Sequence, residues 1–111
     1  MTFIVPRKYI RPLLKKLKRE MGEDYSIKCI DLEWCLYRDF GNGFDVDISN
    51  VNHHANSKQP ATLYLWDARE SFYNAKVVKV IDGVDCTASA LIAAVDSLYN
   101  TSQVLMRGES A

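Results

Sequence analysis

Two runs of alternating apolar and polar residues meet at Gly41-Asn42-Gly43, and the way they must pair is the tightest constraint in the chain. Before the glycines, Leu32, Trp34, Leu36 and Phe40 fall on even positions, with the charged Asp31, Glu33 and Asp39 between them. After the glycines, Phe44, Val46 and Ile48 alternate with Asp45 and Asp47. Period-two patterning of this kind describes half-buried strands. A two-residue Asn-Gly loop would set Leu36 opposite Ser49 and divide the apolar residues between two faces. A three-residue loop pairs Phe40 with Phe44 and Leu36 with Ile48, which puts both apolar sets on one face, as burial requires. The spacing therefore predicts a three-residue hairpin turn with Gly43 in a left-handed conformation. The opposite face then carries Cys35, Tyr37, Asp39, Asp45, Asp47 and Ser49, an acidic surface expected to be solvated. Asp39 and Asp45 face each other there, a mildly unfavourable like-charge pair.

The flanking segments extend this hairpin into an α+β domain. Upstream, Pro12 suits the first turn of a helix, and Leu13, Leu14, Leu17 and Met21 form one apolar stripe that ends at Gly22. Phe3 to Val5 reads as extended, and Pro6 to Ile10 as a separate helical turn. Tyr25, Ile27 and Cys29 alternate with polar residues in the opposite phase to the next run, which predicts a bulge or strand break near Cys29-Ile30. Downstream, a polar loop spans residues 50–60. A strand is expected over Ala61 to Asp67, with Leu63 and Leu65 on one side and Tyr64 and Trp66 on the other. Another is expected over Phe72 to Ile81, with Val77 and Ile81 on one face and Phe72, Val78 and Val80 on the other. Asp85 or Thr87 would cap a last helix running to about Tyr99 or Asn100, with a core stripe of Leu91, Ala94, Val95 and Leu98. The predicted fold is an antiparallel sheet of three to five strands flanked by a basic N-terminal helix and a C-terminal helix. Residues 1–100 form one domain and 101–111 a flexible tail. At 111 residues the chain has length for one ordinary domain.

This helix–strands–helix order, with an alanine-rich final helix, resembles the double-stranded-RNA-binding domain. That family carries a lysine cluster at the start of its last helix. Here the matching stretch, Asp82-Gly83-Val84-Asp85-Cys86-Thr87, is acidic. The resemblance is one of topology, and no function is carried over from it.

Charge is segregated. Arg7, Lys8, Arg11, Lys15, Lys16, Lys18 and Arg19 are seven of the 14 basic residues, and no acid precedes Glu20. Residues 1–19 thus carry +7 and the remainder −7, for a net charge of zero. The start of the chain has three strongly apolar residues before Pro6, short of a secretory signal, and its longest apolar run, Ala90 to Val95, is short of a membrane span. The expectation is an unprocessed cytoplasmic protein. Cys29, Cys35 and Cys86 are odd in number and contain no C-x-x-C, so reduced thiols are expected.

Motifs for chemistry are sparse. His53-His54 lies in the polar loop without the spacing of a zinc site, and the expected reading is solvated histidines. Asp39, Asp45 and Asp47 have no lysine at nuclease-like spacing behind them. The cysteines lack a glycine elbow or a Cys-His signature, and there is no phosphate loop. Neither catalysis, a metal nor a cofactor is expected. Two binding readings remain. Twelve aromatic residues are generous for this length, and two helices cover only one face of a small sheet. Tyr64, Trp66, Phe72 and Tyr73 would then form an exposed patch of the kind that anchors protein partners. A self-complementary patch would make a homodimer. The expected function is a small non-enzymatic protein-binding module, an inhibitor or adaptor of the phage-encoded type, steered to its target by the basic helix. The alternative is a nucleic-acid-binding protein that uses the basic segment 7–19.

Overall fold

A computed structural model describes residues 9–108. Helix α1 (Pro12–Met21) precedes five strands, β1 (Ser26–Ile30), β2 (Glu33–Asp39), β3 (Phe44–Ser49), β4 (Ala61–Asp67) and β5 (Lys76–Val84), and helix α2 (Ala88–Met106) follows them. The strands form one antiparallel sheet in the order β1-β2-β3-β4-β5, so every strand lies beside its sequence neighbour. The fold is α+β. Arg7, Lys8, the segment Phe3 to Val5 and most of the turn expected over Pro6 to Ile10 lie outside the described residues, as do residues 109–111. No helix among the described residues is long and apolar enough to cross a membrane.

The hairpin register is the one the alternation demands. Leu36 pairs with Ile48 and Asp39 with Asp45, and the Phe40 amide donates to the Phe44 carbonyl at 3.0 Å. Gly43 has φ +89°. The apolar face so assembled (Leu36, Phe44, Val46, Ile48, Leu63 and Leu65) packs on Leu14 and Leu17 of α1 and on Leu91, Val95 and Leu98 of α2. At ten residues, α1 is shorter than the ~12–15 that an isolated helix needs to persist in water. It depends on burying its leucines, each worth about 1.5–3 kcal/mol relative to exposure. Its start is anchored by Asn52, whose Oδ1 accepts from the Arg11 amide at 2.8 Å and whose Nδ2 donates to the Tyr9 carbonyl at 3.1 Å.

The phase change near Ile30, expected as a bulge or a strand break, is a strand break: Ile30 pairs with Glu33 across a two-residue turn in which Asp31 and Leu32 have φ +50° and +64°. Three other expectations are corrected. The last strand begins at Lys76, because Phe72–Asn74 forms a 3₁₀ turn capped by Ser71, whose Oγ accepts from the Asn74 amide at 3.2 Å. A register shift between Leu65 and Trp66 then sets Val77 opposite Trp66 while Ile81 stays opposite Leu63, so Val77 and Ile81 lie on different faces. Finally, α2 begins at the Thr87 cap and continues through Met106, so residues 101–106 are helix and no tail. Ser102 is fully buried, its Oγ accepting from Asn42 Nδ2 at 3.1 Å and donating to the Tyr99 carbonyl at 2.6 Å. Leu105 packs on the core one turn later. The hairpin tip thus supplies the contact that carries the helix past Asn100.

The tip also holds the most closely confined glycine. A Cβ on Gly43 would lie 2.5 Å from Arg69 Cγ and 3.3 Å from Arg69 Cα, whereas one on Gly41, at φ +77°, would meet nothing within 4 Å. Gly43→Ala is expected to destabilise the fold by about 2–4 kcal/mol, and Gly41→Ala by about 1–2 kcal/mol from backbone strain alone. Urea unfolding midpoints of the two variants check this, and equal losses would exclude the steric contribution.

Candidate functional site

Both helices lie on one face of the sheet, and the other face presents the alternate residues of every strand. Lys28, Cys35 and Tyr37 lie here through the pairings Lys28–Cys35 and Tyr37–Asp47. Asp45 pairs with Trp66, Asp47 with Tyr64, and Tyr64 with Val80. A cleft of about 380 Å³ crosses this face. One side is formed by Lys28, Ile30, Asp31 and Tyr37, the floor by Asp45 and Asp47, and the far side by Trp66, Phe72, Tyr73 and Ala75. The 3₁₀ turn between β4 and β5 builds that far side, with Phe72 and Tyr73 edge-to-face at 6.0 Å. Phe72 is 77% and Tyr73 94% exposed.

The expected solvated acidic face is corrected here. Asp39 is exposed, but Asp45 is half-buried and Asp47 only 7% exposed. Each carboxylate of the floor is held by an aromatic side chain with a polar end. Trp66 Nε1 donates to Asp47 at 2.9 Å, and the Tyr37 hydroxyl donates to Asp45 at 2.8 Å. Burial raises the proton affinity of Asp47 to a pKa of about 6, against the lowering effect of the Trp66 bond, and Asp45 and Asp31 add to the rise. Burial likewise raises Asp45. The Tyr37 hydroxyl is pushed up by burial and by its bond to Asp45, so it stays a donor. The Lys28 ammonium lies 3.8 Å from the centre of the Tyr37 ring, the one cation in the cleft lining among the described residues.

Of the aromatic residues singled out in the sequence, Trp66, Phe72 and Tyr73 therefore meet in one cleft. Tyr64 is on the same face, beside Asp47, but outside the cleft lining. Lys28 and Asp31 join the cleft without having been expected. Their signal was the phase change: a two-residue turn at Asp31-Leu32 turns β1 so that Lys28 shares a face with Cys35. The basic residues are elsewhere. Lys15, Lys16 and Arg19 are exposed on α1, on the helical side of the sheet, while Lys18 Nζ donates to the Gly22 carbonyl at 3.2 Å. Arg11 occupies the N-cap position of that helix without a side-chain capping bond, its guanidinium 3.0 Å from the Tyr9 hydroxyl. The aromatic patch and the basic helix thus face opposite ways, and one flat partner surface cannot touch both.

The histidine loop is tied down. His53 Nδ1 lies 2.7 Å from Ser57 Oγ and 2.9 Å from the His54 carbonyl, while its Nε2 faces Cys86 Sγ at 3.7 Å. Ser57 Oγ donates to the His54 carbonyl at 2.8 Å. The Cys86 thiol also points at the Gln59 carbonyl at 3.4 Å, and burial with Asp85 raises its pKa. A nucleophilic thiol needs the opposite shift. The arrangement clips residues 50–60 to the start of α2. Among the described residues no group of three or more His, Cys, Asp or Glu side chains is placed to hold a metal ion. Comparison with protein-family models, curated proteins and solved structures returns no match.

The raised Asp47 pKa has a definite sign for stability. The folded state binds the proton more tightly than the unfolded chain does, so ionised Asp47 opposes folding. That penalty is absent below about pH 4 and complete above about pH 6, where it is on the order of 3 kcal/mol. Asp47→Asn keeps an acceptor for Trp66 and removes the charge. The variant is expected to be more stable than wild type at pH 7.5, with the difference closing as pH falls towards 4. Urea unfolding of both proteins across that range checks it, and a difference independent of pH would count against the burial effect.

Proposed function

We propose that this protein is a non-enzymatic binding module that docks a protein partner on the open face of its sheet, acting as an inhibitor or adaptor by occupying the partner's surface. The observation that carries the reading is the far side of the cleft: Phe72 and Tyr73 stand exposed on a short capped turn, beside the exposed Val77 and Val80 of β5. Exposing two adjacent large rings has a cost in water that a partner would remove, and aromatic anchors dominate binding energy in protein interfaces. The Cys86 thiol, which faces His53, has a raised proton affinity, the opposite of what a nucleophile needs.

A nucleic-acid reading has its own support. Lys15, Lys16 and Arg19 are exposed, and neither of the ion pairs among the described residues, Arg38–Asp24 and Arg69–Asp67, involves them. Because α1 and the open face point in opposite directions, the two readings separate by mutation as well as by salt.

The test is a tagged pull-down from host lysate after nuclease treatment and a high-salt wash, read by mass spectrometry. Wild type and the K15Q/K16Q/R19Q variant are expected to retain one protein at near-stoichiometric yield, and F72S/Y73S to lose it by tenfold or more, the effect of removing about 1.4 kcal/mol or more of binding energy. Recovery of nucleic acid alone, abolished in K15Q/K16Q/R19Q and steeply salt-dependent, would replace this reading with the other.

A further inference from the structure

We infer that the cleft between Lys28, Tyr37, Asp45, Asp47, Trp66 and Tyr73 is a seat for the guanidinium group of an arginine side chain on the partner, an inference that rests on the open face being the docking surface. The charge of the cleft selects a cation: among the described residues its lining carries three carboxylates, Asp31, Asp45 and Asp47, against the single ammonium of Lys28. Its walls also select a cation, because Tyr37, Trp66, Phe72 and Tyr73 are π systems whose faces attract positive charge. The protein already binds one cation there in this manner, since Lys28 sits 3.8 Å over the Tyr37 ring. At about 380 Å³ the cleft holds a whole side-chain head group.

The choice among cations follows from what the oxygens are doing. A divalent metal needs six or more oxygen ligands. The floor offers two carboxylates, each with one oxygen already accepting from Trp66 or Tyr37. An organic cation needs fewer, and takes the rest of its stabilisation from the rings. Between lysine and arginine, the planar and weakly hydrated guanidinium stacks on aromatic faces and bonds carboxylates with paired donors. Burial of Asp47 adds a thermodynamic consequence. A seated cation favours the ionised carboxylate, so binding releases protons near pH 6 and weakens as the solution is acidified through that value.

The experiment uses the whole protein, ¹⁵N-labelled, and two peptides, acetyl-Gly-Arg-Gly-amide and its citrulline counterpart, in which the guanidinium is replaced by a neutral group of the same shape. The arginine peptide is expected to shift the Trp66 Nε1–H resonance and the amides of Asp45, Asp47 and Tyr73. It should bind about tenfold more tightly than the citrulline peptide, corresponding to one well-placed charge pair. Asp47→Asn, which preserves the Trp66 acceptor and hence the fold, should abolish that difference, and so should lowering the pH to 5. Equal binding of the two peptides overturns the inference, as do shifts centred on other acids such as Glu20 and Glu23. The pull-down separates the two levels of the argument. A partner retained equally by wild type and D45N/D47N but lost from F72S/Y73S keeps the docking face and overturns the arginine seat. A partner captured by none of these, with the peptide result intact, overturns the docking face and leaves the seat.

Discussion

A sheet with apolar and aromatic side chains on both faces needs cover on both, and here two helices supply it on one. Five strands spaced about 4.8 Å apart are roughly as wide as two helices laid side by side. The helices therefore close the face that holds Leu36, Phe44, Val46, Ile48, Leu63 and Leu65, and nothing of their layer is left for the other. That second face covers itself. Trp66 leans from β4 towards β3, Tyr37 reaches across from β2, and the turn at Phe72–Asn74 lifts two rings beside them. The cleft is what remains when a sheet is covered by its own side chains rather than by another layer.

The same shortage explains the chemistry of the floor. Asp45 and Asp47 lie in the middle of the sheet, where self-covering is most complete, so they lose water, and the nearby Lys28 charge offsets only part of that loss. Tyrosine and tryptophan are the residues suited to stand over them, since each buries a large apolar area and ends in a hydrogen-bond donor. The donors hold the carboxylates in place, and the raised proton affinity of Asp47 measures how far they fall short of water. The like-charge pairing of Asp39 with Asp45 adds to the strain on Asp45, while the exposed Asp39 turns to accept from the Gly41 amide at 2.8 Å.

Much of this was legible in the residues themselves. Alternation around Gly41–Gly43 predicted the pairing of Leu36 with Ile48, because only that register buries one whole apolar set. The leucine stripe and Pro12 predicted α1, and Gly22 its end. What escaped was set by contacts distant in sequence. Nothing local says that Ser102 will bond to Asn42, and without that bond the last two turns of α2 read as a tail. Nothing local marks the bulges in β5, which move Val77 to the open face. The aromatic residues of the cleft were recognisable as surplus to one core, but their meeting with the buried acids depends on sheet twist and on the 3₁₀ turn. The opposed placement of the basic helix followed from the expectation that both helices share one face, since the aromatic patch then falls on the other.

Strand order that follows chain order has a consequence for how the molecule comes together. Each ladder joins neighbours in sequence, so the sheet can grow hairpin by hairpin with only short loops to close. The helical layer cannot. Leu14 and Leu17 of α1 pack in the same cluster as Leu91, Val95 and Leu98 of α2, at the other end of the described chain. On a ribosome α1 is therefore made early and its partner late, and a ten-residue helix has no means of persisting in the interval. Between completion of β5 and completion of α2 the meander has a bare inner face, beside a basic segment waiting for the last helix to arrive.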